Sequence, residues 1–439
     1  MSDKQSTKLF FGDGFYVGTE HNLQSTLENA QKVGNATAMA VYNIKQKQNI
    51  GDVKIGVMYN EKQPTLEQVC HYILKGVSGC GAQAFDLKAG FLPLCAYSCF
   101  NTLCDVCVYI YSDKNGEICA LLLGPGALPV SHSFEKEYEK ALLSGFMHSS
   151  SFAQKPNEEP FCHITSLDGI QCFYEAFLVR ICKEICGNDA LIGQKFIIEA
   201  QSLTEICGAK AFLEALHSAD AEIIDDQTEN AKQNNDTAVK IQLGPDENDF
   251  LLSQKNTTVD FIHSNAIILN YFSRSRTGFT LPFLGPEVYR KIATSAGGTI
   301  NNYCNYPEKA EYFIHSEAQK DMFLNDRFMS AMLLFGIMKE SSLSLDKLLK
   351  TIPEFFVYSL EIEKGNSLKR ERVMTGFAAQ HEDDTQDFKA EGIRLAFPKG
   401  RVTVVPHRAG GYRLISEAYS AEAAKEICSQ AQRMLSDKA

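Results

Sequence analysis

Residues 238–249 read Ala238-Val239-Lys240-Ile241-Gln242-Leu243-Gly244-Pro245-Asp246-Glu247-Asn248-Asp249. Val239, Ile241 and Leu243 alternate with Lys240 and Gln242, the period-two pattern of a strand with one buried face. Gly244-Pro245 breaks that strand abruptly. The turn then delivers Asp246, Glu247, Asn248 and Asp249 in succession. Hard cations such as Mg²⁺ take oxygen ligands, and a strand tip carrying several close carboxylates supplies them. A solvated acidic turn has the same composition, so these residues by themselves fit both readings.

The neighbouring segments place this strand in an α/β unit of about residues 160–254. Phe173–Ile185 and Thr204–Leu216 have helical period, while Lys195–Glu199 and Ala221–Ile224 read as strands. A polar stretch, Gln154–Pro160, precedes the unit as a linker. Residues 1–152 form another α/β unit: strands Val53–Met58, Ala82–Leu87, Val106–Tyr111 and Ile118–Leu123, with helices from Thr65 and over Glu135–Leu143. Asn115-Gly116 signals a tight turn between the last two strands. A third unit, 255–362, alternates helix Ile262–Phe272, strand Thr280–Phe283 and helix Glu287–Ala296, and ends on the strongly apolar helix Arg327–Lys339 and a short one over Leu345–Leu349. The final part, 363–439, differs: three strands, Gly392–Phe397, Arg401–Val405 and Tyr412–Ala418, then a helix capped by Ser420. The expected class is α/β: three similar mixed α/β domains and a C-terminal α+β domain around a central cleft.

Composition narrows the function. The 439 residues are 44% hydrophobic and 22% charged, with net charge −11. That acidity and the lack of any basic run exclude nucleic acid or an anionic membrane as the expected partner. No apolar run approaches the roughly 20 residues of a membrane span. Met1–Lys8 is polar and lacks a signal-peptide core, which predicts a cytoplasmic protein. Fourteen cysteines, mostly in apolar surroundings, are then expected as reduced buried thiols. Cys104 and Cys107 make one Cys-x-x-Cys, but a zinc site needs about two more ligands at similar spacing, and core packing explains Cys182 and Cys186.

The acidic turn, in its surroundings, resembles the magnesium loop of the phosphohexomutases, the superfamily of phosphoglucomutase, phosphomannomutase and phosphoglucosamine mutase. That loop reads Asp-Gly-Asp-(Gly or Ala)-Asp-Arg. Here Gly244 stands for the first Asp, Asp246 keeps the second, and Asn248 stands for the third. Phe10-Phe11-Gly12-Asp13-Gly14-Phe15-Tyr16 resembles the family's opening Phe-Gly-Thr-Asp-Gly-Ile-Arg, with Tyr16 in place of Arg. Ile55-Gly56-Val57-Met58-Tyr59-Asn60 resembles Val-Gly-Arg-Asp-Thr-Arg. Gly410–Ala418 resembles the last strand, with Arg413, Glu417 and Ala418 matching. The similarity spans nearly the whole chain.

The resemblance implies a fold, a set of roles and a problem. The family transfers a phosphoryl group through a phosphoserine, with Mg²⁺ offsetting charge. Its serine loop maps onto Val108–Gly116, where Ser112 is the hydroxyl nearest the right place and Tyr111 the other alignment choice. The implied metal ligands are Asp246 and Asn248. The sugar loop falls at Ile314–Lys320, where Glu317 aligns with the family's Glu, and the phosphate loop becomes Val405–Gly411, keeping His407 and Arg408. All four loops are altered together. The expectation is a phosphohexomutase fold without efficient mutase activity, serving a binding, regulatory or structural role and taking a hexose phosphate or other small anion. The alternative is a divergent active mutase using these same residues.

Overall fold

The computed structural model describes residues 14–47, 52–60, 64–101, 104–113, 116–124, 130, 132–143, 164–187, 195–200, 220–225, 239–243, 250–276, 278–282, 285–303, 321–362, 392–406 and 412–436. The chain begins with β1 (Phe15–Thr19), α1 (Leu23–Lys47), β2 (Lys54–Tyr59), α2 (Pro64–Gly79), β3 (Gln83–Ala89), α3 (Leu92–Asn101), β4 (Val106–Ser112), β5 (Glu117–Leu123), α4 (His132–Leu143) and β6 (Ile164–Ser166). These strands make one sheet in the order β1-β5-β4-β2-β3-β6. Strands β4, β2, β3 and β6 run parallel, whereas β5 pairs antiparallel with both β4 and the edge strand β1. The near-continuous apolar runs of β2 and β4 follow from helices covering both faces. One face packs on α1, α2 and α4, the other on α3 and α5 (Ile170–Cys186). Strand β6 lies beyond the linker yet pairs with β3.

The long helix α1 escaped the sequence reading because its buried stripe is small. Ala30, Val33, Ala36, Ala38, Ala40 and Val41 are buried, with no large side chain among them. Small residues let α1 and α2 approach closely. A Cβ on Gly34 would lie 2.1 Å from the Ile73 carbonyl oxygen, and one on Gly76 would lie 2.2 Å from that of Gln31.

After α5 the chain continues with β7 (Lys195–Ala200), β8 (Asp220–Asp225), β9 (Val239–Leu243), β10 (Phe250–Gln254) and β11 (Thr257–Asp260). The second sheet runs β11-β10-β9-β7-β8, with β7 parallel to β8 and β9. The strand that leads into the acidic turn is the central one of the five. The β10–β11 hairpin was not expected. Helix α6 (Phe261–Phe272), β12 (Gly278–Pro282), α7 (Glu287–Ser295), β13 (Thr299–Tyr303), α8 (Arg327–Ser341) and α9 (Leu345–Leu349) follow, with β12 parallel to β13. The last sheet is antiparallel, in the order β14-β17-β16-β15, from β14 (Phe356–Ile362), β15 (Ile393–Phe397), β16 (Gly400–Pro406) and β17 (Tyr412–Ala418), and α10 (Ala421–Ser436) packs on it. Strand β14 precedes the boundary drawn at 362 yet belongs to this sheet.

Helix α8 is the most completely buried helix of the largest hydrophobic cluster among the described residues. Every residue from Arg327 to Met338 is buried, as the almost wholly apolar run from Phe328 to Met338 requires. Asp326 caps it, accepting from the Phe328 and Met329 amides at 2.9 and 3.0 Å and from the Tyr174 hydroxyl at 2.7 Å. Burial raises the Asp326 carboxyl pKa against the opposing pull of those bonds. At the other end of the chain, the Ser420 hydroxyl accepts from the Ala423 amide at 3.1 Å. Ser420→Ala is expected to lower stability by about 1 kcal/mol, read as a shifted denaturation midpoint with unchanged slope.

Candidate functional site

In open α/β sheets ligands collect outside the carboxyl ends of parallel strands. In the first sheet those ends are Tyr59-Asn60, Lys88, Ser112 and Ser166. They are tied to one another: the Asn60 amide donates to Ile110 O and the Gly90 amide to Tyr59 O, both at 2.8 Å, and the Leu167 amide donates to Asp86 O at 2.9 Å.

Ser112 sits at this edge, but not on a loop. It is the last residue of β4, and its Cα lies opposite Ile118 of β5 in the antiparallel ladder. Asp113 and Gly116 close the hairpin. The Gly116 amide donates to Asp113 O at 3.0 Å, and the Glu117 amide donates to the Asp113 carboxylate at 2.9 Å. Gly116 adopts φ +72°, a left-handed turn position suited to glycine. The Asn115-Gly116 signal thus marked a real hairpin, and Ser112 is held by ladder geometry.

The sequence reading missed a charged pair on β3, two strands away in the same sheet. Lys88 lies at the end of β3 with φ +66°, a conformation non-glycine residues seldom adopt. Its amide donates to the Asp86 carboxylate at 3.0 Å, and its ammonium donates to the other oxygen at 2.7 Å. The Asp86 hydrogen bond raises the Lys88 pKa. Tyr59 is pushed up to about 12, first by burial and then by the negative charges of Glu67 and Asp86. Nothing in Asp-Leu-Lys marked this pair in advance. Tyr16, where the resembling pattern has Arg, is 55% exposed on β1, and Asn60 is buried.

Of the site residues expected from sequence, Ser112 alone falls among the described residues. Asp246 and Asn248 follow β9 in sequence but lie outside them, as do Glu317, His407 and Arg408. What the structure places instead is the rim holding the last sheet. Glu417 of β17 accepts from the Glu287 and Val288 amides at 2.8 and 3.1 Å, so its carboxylate sits on the N-terminus of α7, where the helix dipole favours an anion. Arg401 bridges Glu417 at 2.5 Å and Glu287 at 2.8 Å. Arg394 approaches Glu287 at 3.7 Å, and burial, then the neighbouring Arg401, lowers its pKa to about 10. Glu417 was matched from sequence; its partners 130 and 16 residues away were not. Arg413 pairs with Glu361 at 2.9 Å.

The described cysteines are free thiols, buried except for half-buried Cys80 and exposed Cys172. Cys107 has the Cys104, Cys95 and Cys99 thiols in hydrogen-bonding range, and burial first, then those thiols, pushes its pKa well up. Such thiols are packing groups rather than nucleophiles. Among the described residues, no group of three or more His, Cys, Asp and Glu is arranged to hold a metal ion. No helix among them is long and apolar enough to cross a membrane.

No protein-family model matches the sequence, and no curated protein matches it. Solved structures do match, along nearly the whole chain. A phosphoglucomutase/phosphomannomutase family protein from Burkholderia thailandensis aligns with TM-score 0.65 at 12% identity, covering 99% of this chain and 98% of that chain. Parafusin, a phosphoglucomutase from Paramecium described as an exocytosis-sensitive phosphoprotein, aligns with TM-score 0.61 at 10% identity, covering 97% of this chain and 95% of that one. A putative phosphomannomutase from Thermus thermophilus gives 0.60 at 11%, covering 92% and 94%. At such identities the likeness establishes the fold.

Proposed function

We propose, from the phosphohexomutase fold that this chain carries, that it is a small-anion-binding protein of that architecture without efficient mutase turnover. The four sheets are read as four units whose strand tips converge on one groove. The observation that supports the reading is the β4–β5 hairpin. A serine that is phosphorylated and then donates must project into the cleft with freedom to meet two substrate orientations. Ser112 is instead locked into a ladder opposite Ile118, with the Asp113 carboxylate accepting from the Glu117 amide just beyond it.

The groove's charge fits the same reading. Residues 246–249 offer only oxygen-bearing side chains, which suit a hard cation, but with one of the resembling pattern's three carboxylates unchanged. Bound there, Mg²⁺ would supply positive charge against a phosphate. Asp246 and Asn248 are its proposed ligands. Glu317 is assigned as the sugar contact, and His407 and Arg408 as the anion contacts. Asp246, Glu247 and Asp249 otherwise repel a dianion, so Arg408 carries the attraction.

Three measurements test this. In a mutase assay on glucose, mannose and glucosamine phosphates, with Mg²⁺ and a bisphosphate activator, no turnover is expected. Intact mass after incubation with the bisphosphate is expected to show no phosphoprotein, in wild type and Ser112→Ala alike. Robust turnover that Ser112→Ala abolishes overturns the proposal. Hexose-phosphate binding by calorimetry is expected to be weak, weaker with chelator, and lost in Arg408→Ala. Tight binding that ignores both the chelator and the substitution would mean the site is elsewhere.

A further inference from the structure

We propose that the last sheet is fastened to helix α6 by a proton-dependent clasp centred on His263. His263 lies in the first turn of α6, three residues after Asp260, the residue that caps it. Its Nδ1 is 2.7 Å from Asp260 Oδ1, and its Nε2 is 3.2 Å from the carbonyl oxygen of Phe355. Both partners are acceptors only, one a carboxylate and the other a carbonyl. A neutral imidazole has one N–H and satisfies one of them; the imidazolium has two and satisfies both. The ring also stacks on that of Phe355, centroids 4.4 Å apart and planes at 20°, where a cation is favoured over a neutral ring.

The position of Phe355 gives the contact its reach. Phe355 is buried and immediately precedes β14, which pairs with β17 along its full length, Phe356 opposite Ala418 through Ile362 opposite Tyr412. The clasp therefore grips the point where the chain enters the last sheet. A second hold on the same segment is neutral: the Asn270 side chain donates to the carbonyl and hydroxyl of Thr351, both at 3.2 Å. Losing the proton loosens the entry to the sheet without releasing the segment.

The charges around the ring set the sign. Asp260, from β11, is the charged group among the described residues that acts on His263. The 351–355 segment presents a carbonyl and an aromatic ring, and its Glu354 is exposed. Burial pulls the His263 pKa down, but the hydrogen bond and charge of Asp260 and the Phe355 carbonyl outweigh it, and the net direction is up from 6.5. A group raised in the folded state contributes fully below its unfolded pKa and loses that contribution as pH rises through its folded pKa. The clasp is closed in mild acid and opens on the alkaline side of 6.5, by about tenfold in its equilibrium for each unit of elevation.

The test is hydrogen exchange of the full-length chain from about pH 5.5 to about pH 9, a window chosen to bracket the ordinary histidine range, corrected for intrinsic rates. Protection of peptides spanning 350–362 is expected to fall several-fold as pH rises, while peptides from β2 and α2 stay constant. In His263→Gln, whose amide is neutral throughout, protection at 350–362 should be low and independent of pH. Asp260→Asn keeps a cap acceptor, so it serves if the first variant folds poorly; it should move the transition to lower pH. The His263 ring titration, followed by NMR, supplies the midpoint. A midpoint below 6.5, flat wild-type protection, or the same pH dependence in His263→Gln each overturns the clasp.

Discussion

Gly34→Ala is expected to unfold the first sheet's helical cover, at a cost of about 4 kcal/mol or more. Alanine is the better helix former by about 1 kcal/mol, so local propensity alone predicts stabilisation. Geometry reverses the sign. The added Cβ would sit 2.1 Å from Ile73 O and 2.9 Å from its carbonyl carbon. Both are backbone atoms of a hydrogen-bonded helix and cannot rotate away. The helices must separate instead, and that uncovers Val33, Val69, Ile73 and Val77, all at or below 5% exposure. Gly76→Ala should behave alike, since its Cβ would meet Gln31 O at 2.2 Å. Urea denaturation followed by circular dichroism measures the loss. A gain in stability in either variant would show that α1 and α2 are further apart than described.

Glu417→Ala is expected to cost about 3 kcal/mol, toward the lower end of what breaking a buried ion pair brings. The carboxylate does two jobs. It covers two amides at the start of α7 and neutralises Arg401, whose side chain is 18% exposed. Removing it leaves Arg401 and Arg394 facing each other with Glu287 between them. Partial exposure lets water screen some of the charge, which keeps the figure low in the range. Glu417→Gln should cost less, because an amide oxygen still accepts from α7. Arg401→Met with Glu417→Met should cost less than the sum of the singles, as coupled neighbours do. Chemical denaturation of these variants decides it, and strict additivity would show that the two side chains do not interact.

Much of the scaffold was legible because local pattern and burial agree there. Val239–Leu243 alternates and is a sheet-interior strand. Val106–Leu123 reads as strand, Asn-Gly turn, strand, and is that hairpin. Arg327–Lys339 is almost wholly apolar between its charged ends, and it is a fully buried helix up to Met338. The reading failed where the signal was weak or non-local. Helix α1 buries alanine and valine, so no strong amphipathic stripe marked it. Strand β6 is three residues long, and β14 reads as part of the unit before it. The expected site residues at 246, 248, 317, 407 and 408 fall outside the described residues and Ser112 within them, so the resemblance, rather than the geometry, still carries most of the site.

The sequence by itself determined the class, the order of most helices and strands and the place of Ser112 at a strand end, because period, turn chemistry and apolar runs are local properties of the chain. Only the tertiary structure decided which groups meet. Strand order β1-β5-β4-β2-β3-β6 depends on pairings between distant segments, each of which must offset its loop-closure entropy. Glu417 reaches α7 across 130 residues and His263 reaches Phe355 across 92. Neither contact leaves a trace in spacing, since a glutamate in a strand and a histidine at a helix start are ordinary residues until folding puts a helix N-terminus or a carbonyl against them.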